Sequence, residues 1–157
     1  MFIIKYITFF LLITCLLLIA CKKPICKKSR KDEISGIIVS EFDFGECYDG
    51  DAPLDEYIIT DDSSYQLLNP VIFYNRNDCK NATLPPIDFS MHSLLGKFVD
   101  GSCPVFKSQV IDDDINKQYL FSIEVIECWP CKKLYEKMIW VLVPILSQGY
   151  TVKFEVK

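Results

Sequence analysis

The chain has 157 residues but a single histidine, His92. One imidazole excludes a multi-histidine metal centre, and a lone C-x-x-C excludes the four-cysteine zinc pattern. Neither a glycine-rich phosphate loop nor a Gly-x-Ser-x-Gly nucleophile motif is present. The usual signatures of phosphate-cradling and serine-hydrolase chemistry are therefore missing. Basic charge is not in excess: 17 Lys/Arg stand against 21 Asp/Glu, for a net charge of −4. That balance argues against nucleic acid as a partner. No internal repeat and no long amphipathic helical pattern appears. What the chain does have is apolar and aromatic content, at 50% and 13%, which excludes a disordered or low-complexity protein.

Charge divides the chain into three parts. Residues 1–20 carry only Lys5. Residues 22–33 hold Lys22, Lys23, Lys27, Lys28, Arg30 and Lys31 against Asp32 and Glu33, a net of +4. Residues 34–157 carry ten basic and nineteen acidic side chains, a net of −9. A greasy leader, a basic tether and an acidic body are the expected units, with boundaries at 1–20, 21–33 and 34–157.

The leader's apolar run, Tyr6 to Ala20, is fifteen residues long. As a helix it would reach about 22 Å, short of the roughly 30 Å hydrocarbon core of a bilayer. Length and position suit the hydrophobic region of a secretory signal, the alternative being an uncleaved membrane helix beginning near Phe2. The run ends in Leu18-Ile19-Ala20-Cys21, which resembles the lipobox of bacterial lipoproteins. A small residue fits the narrow pocket of a signal peptidase, and the following thiol accepts a diacylglyceryl group. Cleavage then frees an amine for another acyl chain, such as palmitate. The resemblance implies lipidation at Cys21. Two or three acyl chains supply the multiple signals that stable anchoring requires, so the expected partner is the lipid bilayer. Leu12-Ile13-Thr14-Cys15 lies inside the apolar run, has Thr before Cys, and reads as leader filler. The tether has one proline and few apolar residues and reads as a solvated spacer near anionic headgroups.

The body reads as β-rich. Ile34 to Phe44 is β-branched and aromatic, and Tyr57 to Thr60 is a short strand. Residues 46–54 read as a loop. Asp61-Asp62-Ser63-Ser64 offers a cap for one or two helical turns through Leu68, with Pro70 beyond. Val71 to Tyr74 is a further candidate strand before a polar loop from Asn75 to Pro86. Strands are expected over Ser93–Val99, Val105–Ile111, Tyr119–Glu127, Met138–Val143 and Tyr150–Val156. Residues 112–117 form a turn between two of them, and Cys131 to Lys137 is the one further segment with helical character. The expected architecture is mainly β: a compact antiparallel sandwich or barrel-like domain of seven or eight strands with one or two short helices.

Eight cysteines are present. Setting aside Cys15 and Cys21 leaves Cys26, Cys47, Cys79, Cys103, Cys128 and Cys131, an even set in an exported chain, which invites disulfides. Most of the fifteen possible pairings stay open, but one pair can be argued. Phe106 and Val110 must share a face with Tyr119, Phe121, Ile123 and Val125. A register that places Val110 opposite Phe121 and Phe106 opposite Val125 also places Cys103 opposite Cys128, within cross-strand disulfide reach. Cys47, Cys79 and Cys131 remain unassigned.

Cys128-Trp129-Pro130-Cys131 also admits a thiol–disulfide reading, in which one thiolate attacks a substrate disulfide and the other resolves the mixed disulfide. Against it, only twenty-six residues follow Cys131, whereas the thioredoxin fold places most of its sheet after the pair. Two half-cystines with separate partners is the simpler reading. His92 reads as an exposed loop residue. The acidic runs Asp49-Gly50-Asp51, Asp61-Asp62 and Asp112-Asp113-Asp114 fit no calcium loop and read as solvated turns. No catalytic residue, metal ligand or cofactor is expected.

Leu84-Pro85-Pro86-Ile87-Asp88-Phe89-Ser90, Leu94-Leu95-Gly96-Lys97, Gly101-Ser102-Cys103, the segment from Met138 to Pro144 and the closing Tyr150 to Val156 resemble small lipoproteins of Bacteroidetes. More distantly, Pro-x-Asp-Phe-Ser before a strand and glycine resembles the C-terminal domain of protease-complex accessory lipoproteins, over Leu84 to the end of the chain. It departs from that pattern at Gly101-Ser102-Cys103, where the family tends to a Gly-Gly turn. The resemblance carries over no functional residue. The lipobox and the absence of a catalytic constellation together lead to the expectation of a non-catalytic β domain, protein-binding or scaffolding, lipid-anchored in the cell envelope and most naturally at the outer membrane.

Overall fold

A computed structural model describes residues 31–45, 55–68, 83–128 and 133–157. They form a sandwich of two four-stranded sheets and one short helix. In chain order the elements are β1 (Glu33–Gly36), β2 (Ser40–Glu41), β3 (Glu56–Ile59), α1 (Asp62–Gln66), β4 (His92–Ser102), β5 (Pro104–Asp113), β6 (Gln118–Glu127), β7 (Leu134–Pro144) and β8 (Thr151–Val156). The first sheet runs β1-β5-β6-β8 and the second β2-β7-β4-β3. The two sheets do not close into a barrel.

The β5–β6 hairpin has the register that its apolar faces demand. Val110 lies opposite Phe121 and Phe106 opposite Val125. Phe106, Val110, Tyr119, Phe121 and Ile123 are all buried between the sheets, with Val125 packed against them. A one-residue slip would turn that whole set outward.

The expected antiparallel arrangement holds for four strand pairs, but β1 pairs with β5 and β6 with β8 in parallel. The cause lies in the route of the chain. After β6 it crosses to the second sheet as β7 and returns as β8 pointing the same way as β6. The strand expected from Ile34 to Phe44 is split in two. At Gly36 (φ +73°) the chain leaves β5 and crosses to β7, with Ile37 N–H donating to Val110 O and Val39 N–H to Leu142 O. A Cβ at Gly36 would fall 2.0 Å from the Val110 carbonyl oxygen, which only glycine avoids. One segment thus closes the same side of both sheets.

The helical character expected over Cys131 to Lys137 is overturned for the described part, because Leu134 to Lys137 extend β7 opposite Ser102 to Val99 of β4. An eleven-residue ladder outweighs a weak local helical preference. Residues 46–54 and 71–74 lie outside the described residues.

The second sheet is covered on both faces, which is why Met138 to Val143 reads as a continuous apolar run rather than an alternating one. Ile139, Val141 and Val143 face the first sheet. Met138 and Trp140 face the other way, into a second core with Leu94, Phe44, Ile59, Tyr65 and Leu68. Leu84, Ile87 and Phe89 pack over that core, so the Pro85-Pro86 segment is a strap across the sheet. Tyr65 fastens it by donating its hydroxyl to Pro85 O at 2.7 Å.

Candidate functional site

The cysteine-bearing corner is where the sequence concentrates its candidate chemistry. β4 passes into β5 through Cys103 alone, which adopts φ +46°, a left-handed conformation rare for a side chain with a Cβ. Two bonds hold it there: Cys103 N–H donates to Lys133 O (3.1 Å), and Ser102 N–H donates to a Glu127 carboxylate oxygen (3.1 Å). Cys128 follows β6, and its N–H donates to Ser102 O at 3.3 Å. The last ladder pair is Pro104 opposite Glu127, and Cys103 and Cys128 lie just beyond it, each at the end of its own strand. Both are disulfide-bonded. The Cys103 sulfur lies 3.8 Å from Lys133 O, and that of Cys128 lies 3.7 Å from Ile126 O.

Of the remaining candidates, Cys21, Cys26, Cys47, Cys79 and Cys131 lie outside the described residues. For the C-x-x-C segment, the chain enters from strand β6 and resumes as strand β7. A thioredoxin-type site would instead pass from strand to helix, where the helix N-terminus lowers the thiol pKa.

An open cavity of about 540 Å³ lies at this corner, lined by Cys103, Pro104, Phe106, Tyr135, Glu136 and Lys137. Asp32, just before β1, reaches it. One Asp32 carboxylate oxygen accepts from Phe106 N–H (3.1 Å) and the other from Lys137 Nζ (3.3 Å). Asp32 therefore bridges the two sheets at the point where the chain comes in from its basic segment. In the sequence Asp32 is just one charge in a mixed run, and no local signal marks it as a staple.

The acidic runs behave as turn chemistry. Asp61 caps α1, accepting from the Ser64 N–H (2.9 Å) and hydroxyl (2.9 Å), and these bonds hold its carboxyl below the usual range. Asp113 accepts from Asn116 N–H, Asn116 Nδ2 and Gln118 Nε2 within the β5–β6 turn and is lowered likewise. Asp112 is raised, first by desolvation and then by Asp114 and Asp113. Asp49 and Asp51 lie outside the described residues. Among the described residues no three Asp, Glu, His or Cys side chains converge as a metal site.

His92 is not the exposed loop residue expected of it. It is the half-buried first residue of β4, opposite Pro144, with its N–H bonded to Asp88 O at 3.0 Å. Asp88 closes the preceding turn through the Ser90 hydroxyl (2.6 Å) and N–H (3.0 Å), and both bonds lower its pKa.

At the opposite end of the sandwich the hairpin tip carries Ile115, 93% exposed, and Met91 and Ile145 are more than half exposed. Between them Tyr119 donates to Ser147 Oγ (3.0 Å) and accepts from Ser147 N–H (3.0 Å). Tyr150 donates to Asp114 at 2.7 Å, which pushes the phenol up to about 12. These bonds fix the loop from Ile145 to Tyr150 against the hairpin.

Comparison with protein-family models, with curated proteins and with solved structures finds no match to this chain.

Proposed function

We propose that the chain is a cell-envelope lipoprotein, held to a membrane by acyl chains on Cys21, whose β-sandwich has a non-catalytic, protein-binding or scaffolding role. The observation that carries the reading is Leu18-Ile19-Ala20-Cys21 closing a fifteen-residue apolar run. The domain's geometry supports it. The first described residue, Lys31, is ten positions past Cys21, a reach of at most about 35 Å when fully extended. Asp32 then fixes the incoming chain at one end of the sandwich. Asp61, Asp88 and Asp113 cap a helix or close turns, which is structural work. Ile115, Met91 and Ile145 lie at the end remote from that attachment, available to a partner.

Mass spectrometry of the mature protein tests the anchor, with an N-terminal Cys21 bearing acyl groups as the expected species. A Cys21→Ser chain that stays fully bilayer-held would overturn it and return the leader to a spanning role. Photo-crosslinking from position 115 in native membranes tests the partner, with a discrete protein adduct expected and none from Lys107 on the sheet face. Thiol-disulfide turnover that depends on Cys128 and Cys131 would replace the non-catalytic reading.

A further inference from the structure

Strand β8 forms one edge of the first sheet, and its hydrogen-bonding direction can be read residue by residue. Lys157 N–H donates to Ile123 O, its carbonyl accepts from Val125 N–H, and Thr151 N–H donates to Lys117 O. Odd-numbered residues therefore turn their peptide groups toward β6. Val152, Phe154 and Val156 turn theirs outward, where β8 has no neighbour among the described residues. The core also runs off this edge. Phe121 and Ile123 of β6 are fully buried, whereas their β8 partners are open: Phe154 is half-buried and Val156 is 47% exposed.

A charged edge strand ordinarily deters pairing, but the order of side chains here is self-complementary. In Val152-Lys153-Phe154-Glu155-Val156 the charges are symmetric about Phe154 with opposite sign. An antiparallel copy centred on Phe154 sets Lys153 against Glu155 twice on the outer face. On the inner face it sets Phe154 against Phe154, and Val152 against Val156 twice. The same register matches outward peptide groups with outward peptide groups, giving three hydrogen-bonded pairs and about six hydrogen bonds. A slip of two residues in one direction places Lys153 against Lys153. In the other direction it places Glu155 against Glu155. Both slips are penalised by like charges at cross-strand distance. In the single chain Lys153 already reaches Glu155 along the strand at 2.8 Å, so both side chains lie on the outer face and can swing to a partner.

We infer that two copies of this chain join edge to edge through β8, antiparallel and centred on Phe154, making one continuous eight-stranded sheet. The two-fold axis runs perpendicular to the sheet. The interface does not depend on acylation of Cys21, so the two readings fail separately.

Sedimentation of the full chain in detergent micelles tests it, with twice the chain mass expected. Lys153→Glu places two carboxylates against two, and should weaken the dimer by about tenfold or more. K153E/E155K restores opposite signs in the same register and should restore the dimer. Val156→Pro removes an outward N–H that β6 does not use, and should give a folded monomer. Circular dichroism and the urea midpoint confirm folding of each variant, and V156P carries the test should K153E unfold. A monomeric wild-type chain, dimers of undiminished affinity in folded K153E or V156P, or a charge swap that fails to rescue would each overturn the inference.

Discussion

Gly96 of β4 lies directly opposite Trp140 of β7, and the indole occupies the space above the glycine. A Cβ at position 96 would sit 2.4 Å from the Trp140 ring. Tyr57, opposite Gly96 on its other side, brings its ring to 5.1 Å from the indole. A glycine that would weaken an ordinary strand is thus covered by aromatic side chains from both neighbours. Gly96→Ala should displace the indole and cost about 1–3 kcal/mol by overpacking. Trp140→Ala should cost about 3–5 kcal/mol through the opposite fault, a cavity. Urea unfolding reads both, and an unchanged midpoint for Gly96→Ala would show that the indole has room to move.

The parity of the β5–β6 register was legible in the sequence because Phe106, Val110, Phe121 and Ile123 must share one face, and the turn at residues 112–117 set the alignment within that parity. The cap at Asp61 was legible for a similarly local reason, an acceptor three residues before the Ser64 amide. What was not legible depends on residues far apart in the chain. Nothing near Leu134 announces that Ser102 will pair with it. Nothing near Phe44 announces that Gly36 must turn the chain from one sheet to the other. The motif from Leu84 to Ser90 invites a functional reading, yet its apolar side chains form a strap over the second core. Of the candidate site, the register accounts for Cys103 and Cys128 both lying at the strand ends beyond the Pro104–Glu127 pair. The bridging role of Asp32 depends on Lys137, 105 residues away.

Cys103 and Cys128 should both resist alkylation in the non-reduced protein and react once reductant is added, since both are disulfide-bonded. Cys103 also holds a left-handed corner. Cys103→Ser should cost about 2–5 kcal/mol, the usual effect of losing a native disulfide from a small domain. Peptide mapping identifies the partners. A free thiol at either position in the non-reduced protein would contradict the structure.

The pH dependence should have two limbs of opposite sign. Asp61, Asp88 and Asp113 have folded pKa values below those of an unfolded carboxyl. Their contribution is present above the unfolded value of about 4 and is lost as pH falls through the folded values. Tyr150 is raised to about 12 by its bond to Asp114. Its contribution is complete below the unfolded value of about 10 and is lost as pH rises from there toward 12. Asp113→Asn should flatten the acid limb and Tyr150→Phe the alkaline one. Chemical denaturation at a series of pH values separates them, and an alkaline limb untouched by Tyr150→Phe would assign it to another group.

Asp32 supplies the last test, because one carboxylate serves both sheets. Its bond to Phe106 N–H ties the start of β1 to β5, and its bond to Lys137 ties the same point to β7. Lys137 also sits 5.7 Å above the Phe106 ring, so the three side chains form a single contact. Asp32→Asn keeps the shape but removes the charge, whereas Asp32→Ala removes both acceptors. The alanine variant should lose about 1–2 kcal/mol, the range for a hydrogen bond to a charged group discounted for partial exposure. Amide hydrogen exchange at Phe106 should accelerate strongly in Asp32→Ala and only weakly in Asp32→Asn, which can still accept through its amide oxygen. Equal acceleration in both variants would mean that the ion pair with Lys137, rather than the hydrogen bond to Phe106, holds β1 at the sheet edge.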